Sequence, residues 1–233
     1  MVYNWLNIIQ SIVYPPVCAL CGEAGDAHQD ICHHCRGMLK PNRCACLRCG
    51  NPLPQPASSL CGKCQSALPA FDLTRTGFVY DYPLDSLIQR FKFGRELVLA
   101  RLLGQLMAEA IEATQPARLP EVFIPVPLHG RRQARRGFNQ ARELAAVLAS
   151  HFQLPVDNRI CRRTRDTRPQ TELPAGLRYA NMQRAFQVSA SCEYRHVAIV
   201  DDVMTTGQTV AALACALKDT GVETVEIWVL ARA

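Results

Sequence analysis

Four cysteine pairs, each with two residues between its partners, crowd into the first 64 positions of a 233-residue chain. They read C-A-L-C-G at Cys18 and Cys21, C-H-H-C at Cys32 and Cys35, C-L-R-C-G at Cys46 and Cys49, and C-G-K-C at Cys61 and Cys64. Cys44 is left over, so nine of the twelve cysteines fall in this stretch. An odd number, behind an N-terminus with no basic region or small-residue cleavage site, argues against disulfides and for metal in a reducing compartment. Each first pair ends in glycine and each second pair follows after ten or eleven residues, so the unit repeats about every 28 residues. Four thiolates around one tetrahedral ion suit zinc, and one tight turn supplies two ligands at this spacing. Two tandem zinc ribbons are therefore expected, each with a structural zinc ion. Whether the quartets are sequential, or the two inner pairs share one ion and the two outer pairs the other, is open at this level. His28, His33 and His34 are substitutes only for an incomplete quartet.

Closed all-cysteine sites are structural, so chemistry belongs to the remaining chain. Eight thiolates and two zinc ions draw the formal charge of +6 towards +2, so attraction for polyanions has to be local. It is local: between Arg118 and Arg184 lie thirteen arginines, no lysine and five acids, a net of +8, and the rest of the chain carries −2. Arginine without lysine supplies planar forked donors matched to phosphate oxygens.

The composition changes after the Pro- and Ser-rich stretch Asn51–Ala70. From there "RTGFVY", "EVFIPVPL", "HVAIV" and "ETVEIWVLAR" read as strands. "PLDSLIQRFKF", "RELVLARLLGQLMAEAIEA", "FNQARELAAVLASHF" and "GQTVAALACALKDTG" read as helices, the last ending at Gly221. Strands alternating with helices predict an α/β domain over 71–233 with a largely parallel sheet, preceded by a small module over 1–70. Phe91 and Phe93 are expected in the core, and Cys161, Cys192 and Cys215 as ordinary small apolar residues. Trp5, Ile8, Ile9, Ile12 and Val13 sit at helical spacing, which suits a short helix packed on the body or lying on a membrane surface. No apolar run approaches the roughly 18 residues of a membrane span, and there is neither a Walker A motif nor a Gly-rich dinucleotide fingerprint.

The segment "VAIVDDVMTTGQTV", Val197 to Val210, ends an apolar strand in two adjacent carboxylates and a threonine–glycine turn. Ligands of open α/β sheets bind beyond the carboxyl ends of strands. Asp201 and Asp202 are placed there, both facing solvent or ligand, and Thr205, Thr206, Gly207, Gln208 and Thr209 open a helix whose free N–H groups form an anion seat. A phosphate in the turn and a vicinal diol on the carboxylates, with Mg2+, describe a ribose 5-phosphate. One aspartate would suffice to cap a turn.

This segment resembles the phosphoribosyl-pyrophosphate motif of type I phosphoribosyltransferases. Nearly the whole chain is similar to the ComF family, which includes GntX-like proteins, linked to DNA uptake. The resemblance is carried by the cysteine-rich start, "FKFGR" at Phe91–Arg95, "PVPLHGRRQARRGFNQA" at Pro125–Ala141 and "RRTRDTRPQTELPAGLRYANMQRAF" at Arg162–Phe186. It implies a type I phosphoribosyltransferase-like fold behind a double zinc ribbon. It also implies a diphosphate loop around Pro127 and Leu128, and a closing loop from Arg163 to Gln170 that includes Thr164. The Arg178–Asn181 region would help enclose the ribose. Arg131, Arg132, Arg135 and Arg136 are candidates for single-stranded DNA, and Lys92 for a further phosphate.

Two functions follow from the resemblance. One is a phosphoribosyl-pyrophosphate-binding module, with Mg2+, in cytoplasmic DNA-uptake machinery that includes a separate ATPase, peripheral to the inner face of the membrane. The other is an active phosphoribosyltransferase whose acceptor the sequence does not name.

Overall fold

The computed structural model describes residues 15–26, 29–54, 60–94, 96–164, 185–189 and 192–233. The candidate N-terminal helix, Gln170 and the Arg178–Asn181 region lie outside them.

Each ribbon begins with a knuckle, a turn that closes on its own first cysteine. Gly22 N donates to Cys18 O at 2.9 Å, and Gly50 N to Cys46 O at 2.8 Å. Both glycines have positive φ, and at Gly50 a Cβ would come within 2.8 Å of Thr74 Cγ2. The second pairs open short helices, α1 (His33–Gly37) after Cys32 and α2 (Gly62–Ser66) after Cys61. Asn51–Ala70 is thus no simple linker, because it carries half of the second quartet.

Four strands form a parallel sheet: β1 (Leu73–Val79), β2 (Val122–Pro125), β5 (His196–Met204) and β6 (Thr224–Arg232), in the order β1-β6-β5-β2. The short β3 (Cys161–Arg163) and β4 (Phe186–Val188) pair antiparallel beside it. Alternation along β5 divides the core. Ala198 and Val200 face α3 (Leu84–Phe93), α4 (Leu99–Glu112) and α6 (Gln140–Phe152), which follows the short α5 (Gly130–Arg136). Val197 and Ile199 face α7 (Gln208–Lys218) and β3–β4. A parallel sheet covered on both faces is what the strand–helix alternation predicted.

The ribbons close what the sheet leaves open. Cys18, Ile31, Cys35 and Leu39 are buried in the same core as α3 and α4. Arg90 of α3 donates to Ala19 O inside the first knuckle, and Arg36 pairs with Glu109 of α4. On the free side of β1, Val79 N donates to Lys40 O at 2.9 Å, Asn42 N to Gly77 O at 3.0 Å, and Thr74 N to Leu47 O at 2.9 Å. The ribbons thereby cover an edge strand that would otherwise invite association.

Two expectations need correction. The strand "HVAIV" continues to Met204, because the ladder with β6 runs on through Asp201↔Val229, Val203↔Ala231 and Met204↔Arg232. Phe93 is not core: it is 65% exposed, whereas Phe91 is fully buried. Residues two apart on a helix point about 200° away from each other, so α3 cannot bury both. Cys161 is buried as expected, while Cys192 and Cys215 are only partly so.

Candidate functional site

The cysteines form two sequential quartets. Within Cys18, Cys21, Cys32 and Cys35, and again within Cys46, Cys49, Cys61 and Cys64, all Sγ atoms lie within 4.8 Å of one another. Cys21 Sγ is 3.7 Å from Cys32 Sγ, and Cys49 Sγ is 3.5 Å from Cys61 Sγ. Tetrahedral Zn–S bonds of about 2.3 Å put sulfurs roughly 3.8 Å apart. The donor sets therefore fit zinc, and sequential pairing replaces the interleaved alternative. Cys44 belongs to neither quartet.

A second site lies at the C-terminal ends of β2 and β5. A cavity of about 330 Å³ is lined there by Asp201, Asp202, Thr205 and Thr209, by Leu128, and by the cations Lys92, Arg132, Arg136 and Arg163. Asp201 and Asp202 both reach the cavity from near the C-terminal end of β5. Gly207 takes φ +75° to turn the chain into α7. That left-handed geometry is open to glycine and strained for any other side chain, independent of the space around it. Thr205 and Thr209 face the cavity; Pro127, Thr164, Thr206, Gly207 and Gln208 stand outside its lining.

The two carboxylates are not equivalent. Asp202 is 6% exposed, and its Oδ1 is 2.9 Å from Lys92 Nζ. Lys92 comes from the last turn of α3. Asp202 Oδ1 also accepts from Val203 N at 2.6 Å. Asp202 and Lys92 both line the cavity, and what the sequence did not show is that they are already paired with each other there. Asp201 accepts from Asp202 N at 2.9 Å. Burial and then the neighbouring Asp202 charge raise the pKa of Asp201 to about 7, against the opposing pull of Lys92 and Arg163.

That shift has a sign. The folded protein holds the Asp201 proton more tightly than the unfolded chain, whose aspartates titrate near 3.9. The stabilisation is complete below about pH 4 and is lost as pH rises through 7. Asp201→Asn should therefore flatten this part of the pH dependence and raise stability at pH 8 by about 1–3 kcal/mol. Urea unfolding of both proteins at pH 5 and pH 8 measures it. A variant no more stable than wild type at pH 8 would count against a strained carboxylate.

Of the four clustered arginines, Arg132 and Arg136 turn into the cavity; Arg131 and Arg135 share their helix, α5. The guanidinium of Arg136 lies 5.2 Å from the Phe93 ring centroid and also donates to Gln140 Oε1 at 3.0 Å. The sequence reading missed Gln140 and Asn139. Asn139 caps α6 by accepting from Ala141 N at 3.1 Å, while its amide donates to Val126 O at 3.0 Å. Gln140 is 2% exposed, and its Nε2 has no hydrogen-bond partner among the described residues. A buried donor of this kind on a cavity wall is ordinarily satisfied by ligand or water. "FNQA", an Asn ahead of an apolar helical run, carried the capping signal. Phe138 packs its ring 5.3 Å from that of Phe91.

Residues 9–65 match the model of the double zinc ribbon domain, and residues 134–233 that of the phosphoribosyl transferase domain. The chain is 38% identical to competence protein F of Haemophilus influenzae over 87% of its own length and 96% of that protein's. It is 36% identical to the DNA utilization protein YhgH of Escherichia coli K12, over 95% of its own length and 99% of that protein's. Among solved structures, glutamine phosphoribosylpyrophosphate amidotransferase from B. subtilis aligns at 18% identity and a TM-score of 0.39, covering 56% of this chain and 26% of that one. That last likeness is too loose to carry an argument.

Proposed function

The chain belongs to the family of competence protein F and the DNA utilization protein YhgH, and from that premise we propose that this phosphoribosyltransferase-like competence protein binds phosphoribosyl pyrophosphate with Mg2+ in the cavity at the ends of β2 and β5. The observation that carries the reading is the opposition of charges in that cavity. The carboxylate pair, Thr205 and Thr209 line one part, and among the described residues the cations Lys92, Arg132, Arg136 and Arg163 line the same space.

The parts fit such a ligand by chemistry. Asp201 and Asp202 hold the ribose hydroxyls. The turn from Thr205 to Thr209, with Thr206, Gly207 and Gln208 between, offers hydroxyls and the N-terminus of α7 to the 5-phosphate. Pro127 and Leu128, with Arg132, Arg136, Arg163 and Thr164, attend the diphosphate. The carboxylates are hard oxygen donors suited to Mg2+, which would neutralise diphosphate charge. Gln170 and the rest of the closing loop would exclude water. In the uptake of DNA, Arg131, Arg132, Arg135 and Arg136 of α5 are the candidates for a single strand, with Arg132 and Arg136 on the cavity wall. Work on DNA also implies a separate ATPase, because the chain has no Walker A motif. No described helix is long and apolar enough to cross a membrane, in keeping with a cytoplasmic protein peripheral to its inner face.

Turnover is the second reading, favoured by the donor left open on Gln140. A nucleophile would displace pyrophosphate at the anomeric carbon through an oxocarbenium-like transition state. The two readings separate in one assay. Protein, phosphoribosyl pyrophosphate and Mg2+ are incubated with nucleobases or with single-stranded DNA, and pyrophosphate is measured. A binding module raises the melting temperature with ligand and releases no pyrophosphate with any acceptor. Acceptor-dependent release establishes the transferase, and neither response removes the cavity from consideration.

A further inference from the structure

Lys92 reaches the aspartate pair from a different element, 110 positions earlier in the chain, and its ammonium pairs with Asp202. Its Nζ lies 2.9 Å from Asp202 Oδ1, with the Lys92 side chain 21% exposed and that of Asp202 8%. Among the described residues it is also the one lysine on a cavity wall otherwise supplied with arginine. Buried ion pairs are weak evidence for stability, because desolvation offsets much of the attraction. This one sits where a ligand's cation has to arrive.

The Asp201 and Asp202 carboxylates and Thr205 and Thr209 border one cavity, and oxygen donors of this kind suit a divalent cation. We propose that Lys92 is the resident counter-ion of this pair, reserving Asp201 and Asp202 so that a divalent cation reaches them only when it arrives bound to a phosphorylated sugar. This rests on the cavity being the site for such a ligand. The ammonium neutralises Asp202 while the cavity awaits ligand. A free cation has to displace it with nothing to offer the released lysine. A cation that comes with phosphate oxygens supplies the lysine with a new partner in the same cavity. Lysine suits this exchange better than arginine: it is a compact charge on a flexible stem, with no planar fork locked onto one carboxylate. Arg90, two residues earlier on α3, holds that helix from the other side through Glu96 at 2.6 Å and through Ala19 O. The lysine can therefore leave Asp202 without the helix moving.

The test uses Mn2+ alone, read by electron paramagnetic resonance, on zinc-loaded protein at pH 8. Wild type is expected to leave most Mn2+ free. Lys92→Met should bind one Mn2+ about tenfold or more tightly, given the attraction between charges at this distance. Adding Asp202→Asn to Lys92→Met should abolish the gain. Equal Mn2+ affinity in wild type and Lys92→Met would overturn the proposal. If Lys92→Met does not fold, wild type and Asp202→Asn decide it. A reserved pair leaves Mn2+ free in both, whereas weaker binding in Asp202→Asn than in wild type shows that the pair takes cation despite the lysine. No sugar phosphate enters these comparisons. A gain in Lys92→Met with no phosphoribosyl pyrophosphate binding leaves the lysine's role standing and the ligand misassigned. Ligand binding without that gain does the reverse.

Discussion

Cys46→Ser or Cys64→Ser is expected to cost the protein its second zinc ion and, with it, the closure of the sheet. Structural zinc contributes about 10–16 kcal/mol to the folding of small ribbon-like units, more than the 5–15 kcal/mol that typically holds a whole domain together. The second ribbon is tied to the body at both ends of its knuckle. Leu47 O accepts from Thr74 N of β1, and Cys49 O accepts from Arg232 Nε at 2.9 Å. Arg232 also donates to Met204 O at 3.1 Å, two positions beyond Asp202. Loss of the ion should bare the outer edge of β1 and disturb the strand end that carries the carboxylates. Zinc analysis should fall from two ions per chain to one, and hydrogen exchange should accelerate at Thr74 and Val79. Cys44→Ser is the matched control and should retain both ions. Well-folded protein with slow exchange at Thr74 after loss of the ion would show that the ribbon is an appendage.

Glu226→Ala should be the most damaging change outside the metal sites. Glu226 is 4% exposed on β6 and joins three strands. Its Oε2 accepts from Arg75 Nε of β1 and from Trp228 Nε1, both at 2.8 Å, and its Oε1 lies 3.1 Å from His196 Nε2 of β5. Truncation leaves a part-buried guanidinium, still held by Thr114 Oγ1, and a buried indole N–H without the carboxylate, which costs about 3 kcal/mol. Glu226→Gln keeps hydrogen-bonding capacity without charge and should fall in between. The network sits at the opposite end of β5 from Asp201, five residues or roughly 16 Å away. Urea unfolding should register the loss, while ligand affinity of the folded fraction stays near wild type. An affinity change as large as the stability change would mean that the two ends of the sheet are coupled.

What was legible in the sequence follows from the range of the interactions. The quartets could be read because the ligands lie in two short windows whose spacing is dictated by one turn. The carboxylate pair and its turn could be read because strand, loop and helix are consecutive. Lys92 facing Asp202, and Arg136 over the Phe93 ring, join residues distant in sequence, and only the packing of α3 brings them together. Phe93 is different: helical periodicity around Phe91 already required it to point outward. The end of β5 was misplaced because an aspartate pair looks like a strand terminus, although partners on β6 carry the ladder four residues further. The ribbons' cover over β1 left no composition signal at all, since backbone groups provide it.

Isothermal titration of the zinc-loaded protein with phosphoribosyl pyrophosphate, with and without Mg2+, is the most direct measurement. One ligand per chain is expected, dependent on Mg2+, and lost in the Asp201→Asn, Asp202→Asn double variant whose unfolding remains cooperative. Gly207→Val should lose it as well, through the strained turn rather than through charge. Absence of heat at millimolar ligand, or undiminished binding in the double variant, would contradict a phosphoribosyl site at the end of β5.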